Sequence, residues 1–281
     1  LRNLRAAERP EGRRRPVLSG WPGAERGSHV MVIPLRDDNP TTRFAFVTLL
    51  LIAVNVFVYF VVQPKGGVEE FEFTLERAAI PCELRQWEPL TFVEAQTGDC
   101  DAGTVEGAEI FPRKNVWLAV FTSMFLHGSI LHLAGNMLFL WIFGNNVEDH
   151  LGPVLYVIFY GITGVAAMAA HFLVDPGSTI PVIGASGAIA GVMGAYLVLW
   201  PKARILTVVP LFLFFVVYLP AGLVLGIWFG MQFLTNPNEG VAWMAHVGGF
   251  AAGVALGLGA KAVLGPPRTG PPPEPEYEPR F

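Results

Sequence analysis

Charged residues are scarce in this 281-residue chain: Asp, Glu, Lys and Arg make up 15% of it, whereas a soluble domain usually carries about 25%. Hydrophobic residues make up 52%, and the mean hydropathy is +0.46. This composition excludes an ordinary soluble enzyme. The net charge is −4 and no basic cluster occurs beyond position 43, so we expect no nucleic-acid partner.

Asp, Glu, Lys and Arg are absent altogether from six long stretches of the chain. A helix needs about 20 mostly apolar residues to cross the hydrocarbon core of a bilayer, and each stretch is long enough. The sequence therefore predicts an all-α fold, a polytopic membrane bundle of six transmembrane helices within residues 44–264. The six windows are 44–64, 115–147, 150–174, 176–201, 205–238 and 240–260.

The distribution of Lys and Arg predicts the orientation of this bundle. Nine of the 19 basic residues lie in residues 1–43, and the loop 63–115 carries five basic against eleven acidic residues. Short cytoplasmic segments hold the excess of positive charge in membrane proteins. We therefore expect a multi-pass protein of the cell membrane with cytoplasmic N- and C-termini and an extracytoplasmic loop 63–115.

The two ends of the chain lack the apolar residues that a packed core requires. Residues 1–30 are rich in Arg, Gly and Pro and are predicted to be disordered, with Met31 as the expected start of the protein. The first 43 residues then form a cytoplasmic segment. Residues 265–281 are rich in Pro and are expected to form a cytoplasmic tail.

Cysteine is nearly absent, since Cys82 and Cys100 are the only two in the chain. Both lie in the loop that we assign to the outside, where an oxidising compartment permits a disulfide between them. Two free thiols are the alternative. Two cysteines in one loop do not provide the usual four ligands of a structural zinc site, and no metal is expected.

Polar side chains inside the windows are few, and in a membrane such residues are functional candidates by default. Ser186 lies between Gly184 and Gly187, which leave space around its hydroxyl; close helix packing is the alternative role of these glycines. His246 shares one helical face with Gly249 and Gly253. Counted from the expected helix starts at Pro181 and Val241, Ser186 and His246 each lie five residues within their helices, so a hydroxyl and a base are expected to meet at equal depth.

The window 115–147 contributes two further candidates and one supporting residue. His132 and Asn136 are four residues apart and project from one helical face. An imidazole N–H and an amide N–H are suited to stabilising the oxyanion of acyl transfer, although hydrogen bonds between helices would use the same groups. His127, at the start of this window, is expected to bond loop backbone or water in a structural role.

These three groups of residues together resemble the rhomboid intramembrane serine proteases. The motifs are His132-x-x-x-Asn136, Gly184-x-Ser186-Gly187 and Ala245-His246-x-x-Gly249, and the similarity extends over about residues 31–264. It implies that Ser186 is the nucleophile and His246 the general base. It also implies an oxyanion hole formed by His132, Asn136 and the Ser186 backbone N–H.

The resemblance also implies the substrate class. Transmembrane segments of other membrane proteins would be cleaved near the outer face without a cofactor, entering beside the fifth span under a cap at 232–240 that contains Asn236, Pro237 and Asn238. Two features depart from the family: Leu118 follows Trp117 where an Arg is common, and the first loop is enlarged by 66–112.

Two other functions remain open at the level of sequence. A catalytically inactive rhomboid-like chaperone or trafficking factor would keep the same fold, but such relatives typically lack the serine or the histidine. A proton-coupled transporter would use histidines within its spans, yet the windows hold none of the carboxylates that such relays commonly use. The sequence does not define the substrate or the oligomeric state.

Overall fold

The computed structural model describes residues 33–102, 108–211, 213–234 and 242–267, so the predictions for 1–30 and for most of 265–281 lie outside the described residues. The described part is mostly helical and contains one three-stranded sheet. The elements in chain order are β1 (Ile33–Asp37), α1 (Phe46–Phe57, continued by a π-helical turn Val58–Val62), α2 (Gly67–Arg77), α3 (Pro81–Gln86), α4 (Phe92–Thr97), α5 (Val116–Thr122, continued by a 3-10 turn Ser123–Phe125), α6 (Ile130–Leu151), α7 (Pro153–Val174), α8 (Ser186–Leu199), β2 (Arg204–Leu211), β3 (Leu213–Pro220), α9 (Ala221–Gln232) and α10 (Trp243–Leu264).

Each of the six charge-free windows contains an apolar helix, but the helices differ in length. Within the described ranges, α6, α7 and α10 are long and apolar enough to cross a membrane. The apolar helices α1, α5, α8 and α9 are shorter, between 10 and 17 residues when their continuing turns are included. The count of six spans therefore stays a prediction.

The window 205–238 is not a single helix, and here the expectation of an all-α fold is wrong. β2 and β3 form an antiparallel hairpin in which Arg204 lies opposite Pro220, and β1 pairs with the other edge of β2. The hairpin sequence is rich in Val, Ile, Leu and Phe, and β-branched and aromatic residues favour strands. A lack of charge does not distinguish an apolar strand from an apolar helix.

Two other windows are interrupted by non-helical segments. In the window 115–147, the chain leaves the helical conformation at Leu126 and resumes it at Ile130, where the Ser129 hydroxyl accepts a hydrogen bond from the His132 N–H at 3.1 Å. In the window 176–201, helix α8 begins only at Ser186 and not at the expected start, Pro181. Both interruptions lie where the candidate residues are found.

The loop 63–115 is folded around three short helices, α2, α3 and α4. Cys82 and Cys100 are joined in a disulfide, with their Cα atoms 5.6 Å apart. A buried ion pair joins Lys114 Nζ to Glu83 Oε2 at 2.5 Å; burial raises the pKa of Glu83 and lowers that of Lys114, while their mutual attraction opposes both changes. The backbone of Cys82 is bonded to the segment before α8, since its N–H donates to the Ser178 carbonyl.

Helices α8 and α10 pack with their backbones in contact. A Cβ atom on Gly249 would lie 2.0 Å from the Gly187 carbonyl oxygen, and one on Gly253 would lie 1.9 Å from that of Gly191. Real Cβ atoms essentially never come within 3.0 Å of another heavy atom, so only glycine permits this approach. These glycine contacts thus bring the starts of α8 and α10 together.

At the far end of α8 from Ser186, β1 is joined to the bundle through an acidic residue. Asp37 Oδ2 accepts hydrogen bonds from the Tyr196 hydroxyl at 2.8 Å and from the Asn146 amide at 2.7 Å. Burial raises the pKa of Asp37 to about 6, and the hydrogen bonds from these two side chains act in the opposite direction. Glu148 accepts hydrogen bonds from two backbone N–H groups in the first turn of α1.

Candidate active site

Ser186 is the first residue of α8, directly after a sharp turn of the chain. The turn requires glycine at position 184, whose φ of +122° is disfavoured for every other residue. The Gly184 N–H donates to the Ser123 carbonyl at 2.9 Å, which holds the turn against the 3-10 segment after α5. The backbone N–H of Ser186 is among the first of α8, and these groups have no partner within their own helix.

His246 lies opposite this serine, in the first turn of α10. Its Nε2 atom is 2.8 Å from Ser186 Oγ, a hydrogen-bond distance, although 60 residues separate the two in sequence. The glycine contacts between α8 and α10 make this approach possible. The predicted meeting of a hydroxyl and an imidazole is therefore present in the structure, at the ends of the two helices and not five residues within each.

A third side chain contacts the imidazole, and the sequence reasoning missed it. Gln232, the last residue of α9, has its Oε1 atom 2.7 Å from His246 Nδ1. The sequence does mark Gln232 as a candidate, because it is the only amide side chain in the otherwise apolar helix α9. The ring of Trp228, one turn earlier in α9, lies 5.8 Å from the His246 ring, centroid to centroid.

The two predicted oxyanion residues, His132 and Asn136, lie on α6. A Cβ atom on Gly184 would be 2.9 Å from the His132 ring and 3.5 Å from Ser186 Oγ, so the ring and the hydroxyl border the same small space. The side-chain nitrogen of Asn136 is buried without a hydrogen-bond partner in the described part of the chain. An unpaired buried amide is costly and rare, so Asn136 has a donor to offer to a ligand.

His127 lies in the segment before α6, next to His132. We expected its ring to bond loop backbone or water, and this stays a prediction; the ring is buried and interacts with the backbone of Phe125. Its ring packs edge-on against that of His132 at 5.0 Å, and its backbone exchanges two hydrogen bonds with the Gln63 side chain. His127 therefore supports the position of His132 by packing.

Residues 114–262, just over half of the chain, match the sequence profile of the Rhomboid domain. The chain belongs to the rhomboid family. It is a membrane protein of a family that includes proteases, and all the candidate residues of the site lie within the matched range.

Several named rhomboids are similar in sequence to about half of this chain. It is 32% identical over 151 residues to Rhomboid protease GluP of Bacillus subtilis, a match that covers 53% of this chain and 28% of the relative. It is 33% identical over 149 residues to Rhomboid-like protein 11, chloroplastic, of Arabidopsis thaliana, covering 50% and 51%. It is 31% identical over 147 residues to Rhomboid protein 1, mitochondrial, of Saccharomyces cerevisiae, covering 51% and 36%. The matched region thus spans at most about half the length of these relatives.

In the part of the chain that the structure describes, no group of three potential metal ligands lies at the site of this rhomboid. Within the described ranges, the one group of three potential ligands comprises Cys82, Glu94 and Cys100 in the enlarged loop, and the disulfide occupies both of its sulfur atoms. The predicted cap residues Asn236, Pro237 and Asn238 lie outside the described residues. What the structure brings together around this turn is the Ser186 hydroxyl, the imidazoles of His246 and His132 and the amide of Gln232.

Proposed function

We propose that this rhomboid is an intramembrane serine endopeptidase that cleaves transmembrane segments of other membrane proteins by a dyad of Ser186 and His246. The observation that carries the proposal is the 2.8 Å contact between Ser186 Oγ and His246 Nε2. A serine hydroxyl is a weak nucleophile unless a base lies within hydrogen-bond reach, and an imidazole nitrogen is the commonest such base.

The chemistry follows from these two atoms. Ser186 Oγ attacks the scissile carbonyl carbon while its proton passes to His246 Nε2, and a tetrahedral intermediate forms. Nε2 then gives that proton to the leaving amine as the C–N bond breaks, which leaves an acyl-enzyme on Ser186. Water attacks the acyl group, its proton passes to Nε2 and returns to Ser186 Oγ, and the carboxylic acid product is released.

The negative charge of the tetrahedral intermediate needs hydrogen-bond donors in place beforehand. We propose that the Asn136 amide, the His132 ring and the Ser186 backbone N–H supply them. The unpaired, buried nitrogen of Asn136 supports this role, as does the shared border of His132 and Ser186 at Gly184. Because Ser186 is the first residue of α8, the partial positive charge of the helix N-terminus also lies beside the Ser186 backbone N–H.

The apolar helices around the site argue for a membrane-embedded substrate. We propose that the substrates are transmembrane proteins of the same bilayer, cut near its outer face, and that the enzyme resides in the cell membrane with both termini in the cytoplasm. The excess of basic residues in 1–43 supports this orientation, because positive charge is retained on the cytoplasmic side.

The test is cleavage of a tagged transmembrane reporter by the purified protein in lipid nanodiscs. Ser186→Ala removes one hydroxyl and should abolish cleavage without lowering the melting temperature measurably. Ser178→Ala is the matched control, because it removes a serine hydroxyl whose one hydrogen bond among the described residues is accepted from the Ile180 N–H. Equal cleavage by the Ser186→Ala variant and wild type would refute catalysis by this dyad, whereas absence of cleavage by wild type would favour an inactive scaffold.

A further inference from the structure

We infer that Gln232 is a positioning residue for the general base, holding His246 in the tautomer and orientation that the proposed proteolysis requires. The inference rests on the proposed function for its catalytic consequence, but its structural part stands on geometry alone. The sequence motifs that suggested the site contain no residue to which we assigned the role of orienting the imidazole. Gln232 lies on a different helix, 14 residues before the imidazole.

The orientation of the glutamine amide is fixed by its second contact. Gln232 Nε2 donates to the backbone carbonyl of Trp228 at 3.0 Å, and a carbonyl oxygen accepts but never donates. The amide oxygen must therefore point the other way, toward His246 Nδ1 at 2.7 Å. An amide oxygen also only accepts, so Nδ1 carries the proton in this contact.

This assignment determines the state of the other ring nitrogen. A neutral imidazole that is protonated on Nδ1 has a free lone pair on Nε2, the atom that lies 2.8 Å from Ser186 Oγ. Nε2 is then an acceptor, as a general base for the serine must be. Without Gln232, the neutral ring is free to adopt the opposite tautomer, in which Nε2 carries a proton and does not accept one from Ser186.

Within the described part of the chain, no other group around the imidazole duplicates this contact. Among the described residues, the ionisable side chains whose charge acts on His246 are His132 on α6 and His171 on α7, and neither is a carboxylate. The Trp228 ring lies beside the imidazole but offers no acceptor atom to Nδ1. Gln232 is itself buried, with 8% of its surface exposed, so water does not readily replace its oxygen.

The expected catalytic effect follows from the charge that develops during the reaction. The imidazole becomes imidazolium as it takes the serine proton, and a hydrogen bond from a charged donor is stronger than one from a neutral donor. Removing the acceptor should lower kcat by about 10- to 100-fold, in line with the loss of one charge-assisted hydrogen bond. KM should change little, because Gln232 acts on the base and not on the bound segment.

The kinetic experiment uses the full chain in nanodiscs with a transmembrane reporter across pH. Gln232→Met keeps the length of the side chain and removes the acceptor. We expect the fall in kcat of about 10- to 100-fold. We also expect the lower limb of the kcat/KM profile to move to more acidic pH, because the imidazolium loses a hydrogen-bond acceptor. Gln232→Glu returns an acceptor oxygen and should recover most of the lost rate, with the same limb moved to higher pH. An unchanged kcat and pH profile in Gln232→Met would overturn the inference.

A matched control separates positioning from general destabilisation. Gln63→Met removes another buried glutamine whose amide bonds the backbone of His127, so it should lower the melting temperature while leaving the limbs of the pH profile in place. The same shift of the limbs in Gln63→Met as in Gln232→Met would contradict a specific role for Gln232.

A second readout does not depend on activity. In protein labelled with ring-15N histidine, with His246 assigned by its absence in His246→Asn, NMR should show proton occupancy on Nδ1 in wild type and loss of that preference in Gln232→Met. A wild-type His246 protonated on Nε2 would overturn the inference. Absence of reporter cleavage by wild type would instead refute the proposed function, and the NMR result would still decide the role of Gln232.

Discussion

Replacing Gly253 by Ala is the perturbation that most directly tests how the site is assembled. The new Cβ atom would lie 1.9 Å from the Gly191 carbonyl oxygen and 2.5 Å from its carbonyl carbon. Both are backbone atoms and have no alternative rotamer, so α8 and α10 must separate by about 1 Å or more. Overpacking of this kind costs about 1–3 kcal/mol, so the melting temperature should fall.

The separation should reduce activity more than stability. Gly253 lies two turns, or about 10 Å, along α10 from His246. Moving α10 away from α8 by about 1 Å stretches the 2.8 Å contact between Ser186 Oγ and His246 Nε2 beyond hydrogen-bond range. A misplacement of this size can cost about 10²-fold in rate, and we expect a loss of kcat of that order.

The assay pairs thermal melting with reporter cleavage, measured well below the melting temperature. Gly259→Ala is the matched control, because Gly259 is in the same helix and its Cβ atom would meet nothing within 4 Å. Both variants gain the same helix propensity, about 1 kcal/mol at most, so only the contact differs. Equal melting temperatures and equal kcat in the two variants would refute the view that backbone contact between α8 and α10 builds the site.

Three further predictions concern separate parts of the molecule. Asn136→Ala should lower kcat by about 10²- to 10³-fold with little change in melting temperature, and an unchanged kcat would remove Asn136 from the oxyanion hole. Because burial raises the pKa of Asp37 from 3.8 to about 6, its contribution to stability is complete below about pH 4 and is lost as the pH rises through 6. Asp37→Asn should therefore raise the free energy of unfolding by about 3 kcal/mol at pH 8 and change it little at pH 4. The melting temperature should rise at pH 8 only, and a lower melting temperature at pH 8 would contradict this prediction. Replacing Cys82 and Cys100 by Ser opens a loop with a sequence separation of 18, which should lower the stability of the enlarged loop by about 3 kcal/mol; hydrogen exchange within 67–102 as slow as in wild type would argue against it.

Part of the candidate site was predictable from sequence because polar groups are rare in apolar windows. Ser186 and His246 stand out against a background without charge, and the glycines near them indicate close approach of two backbones. The structure brings these two side chains together. The expectation that they lie at equal depth within two long helices was wrong, since Ser186 is the first residue of α8 and the preceding segment is not helical. Pro176 and Pro181 were the sequence signals for that break.

The rest of the architecture was not predictable from hydropathy alone. The hairpin β2–β3 has the apolar composition of a membrane helix, and its identity as a pair of strands depends on pairing with a distant strand, β1. Gln232 was missed for a related reason. Its partner is an imidazole on the next helix, and only the packing of α9 against α10 brings the two within 2.7 Å.

Covalent labelling of the nucleophile tests the central claim most directly. A fluorophosphonate reacts with a serine that a neighbouring base has activated, so the purified protein in nanodiscs should acquire one adduct, mapped by mass spectrometry to Ser186. The same treatment should leave the His246→Ala variant unlabelled, because its serine has lost the nitrogen 2.8 Å away. An adduct at another serine, or equal labelling of Ser186 with and without His246, would contradict catalysis by this pair.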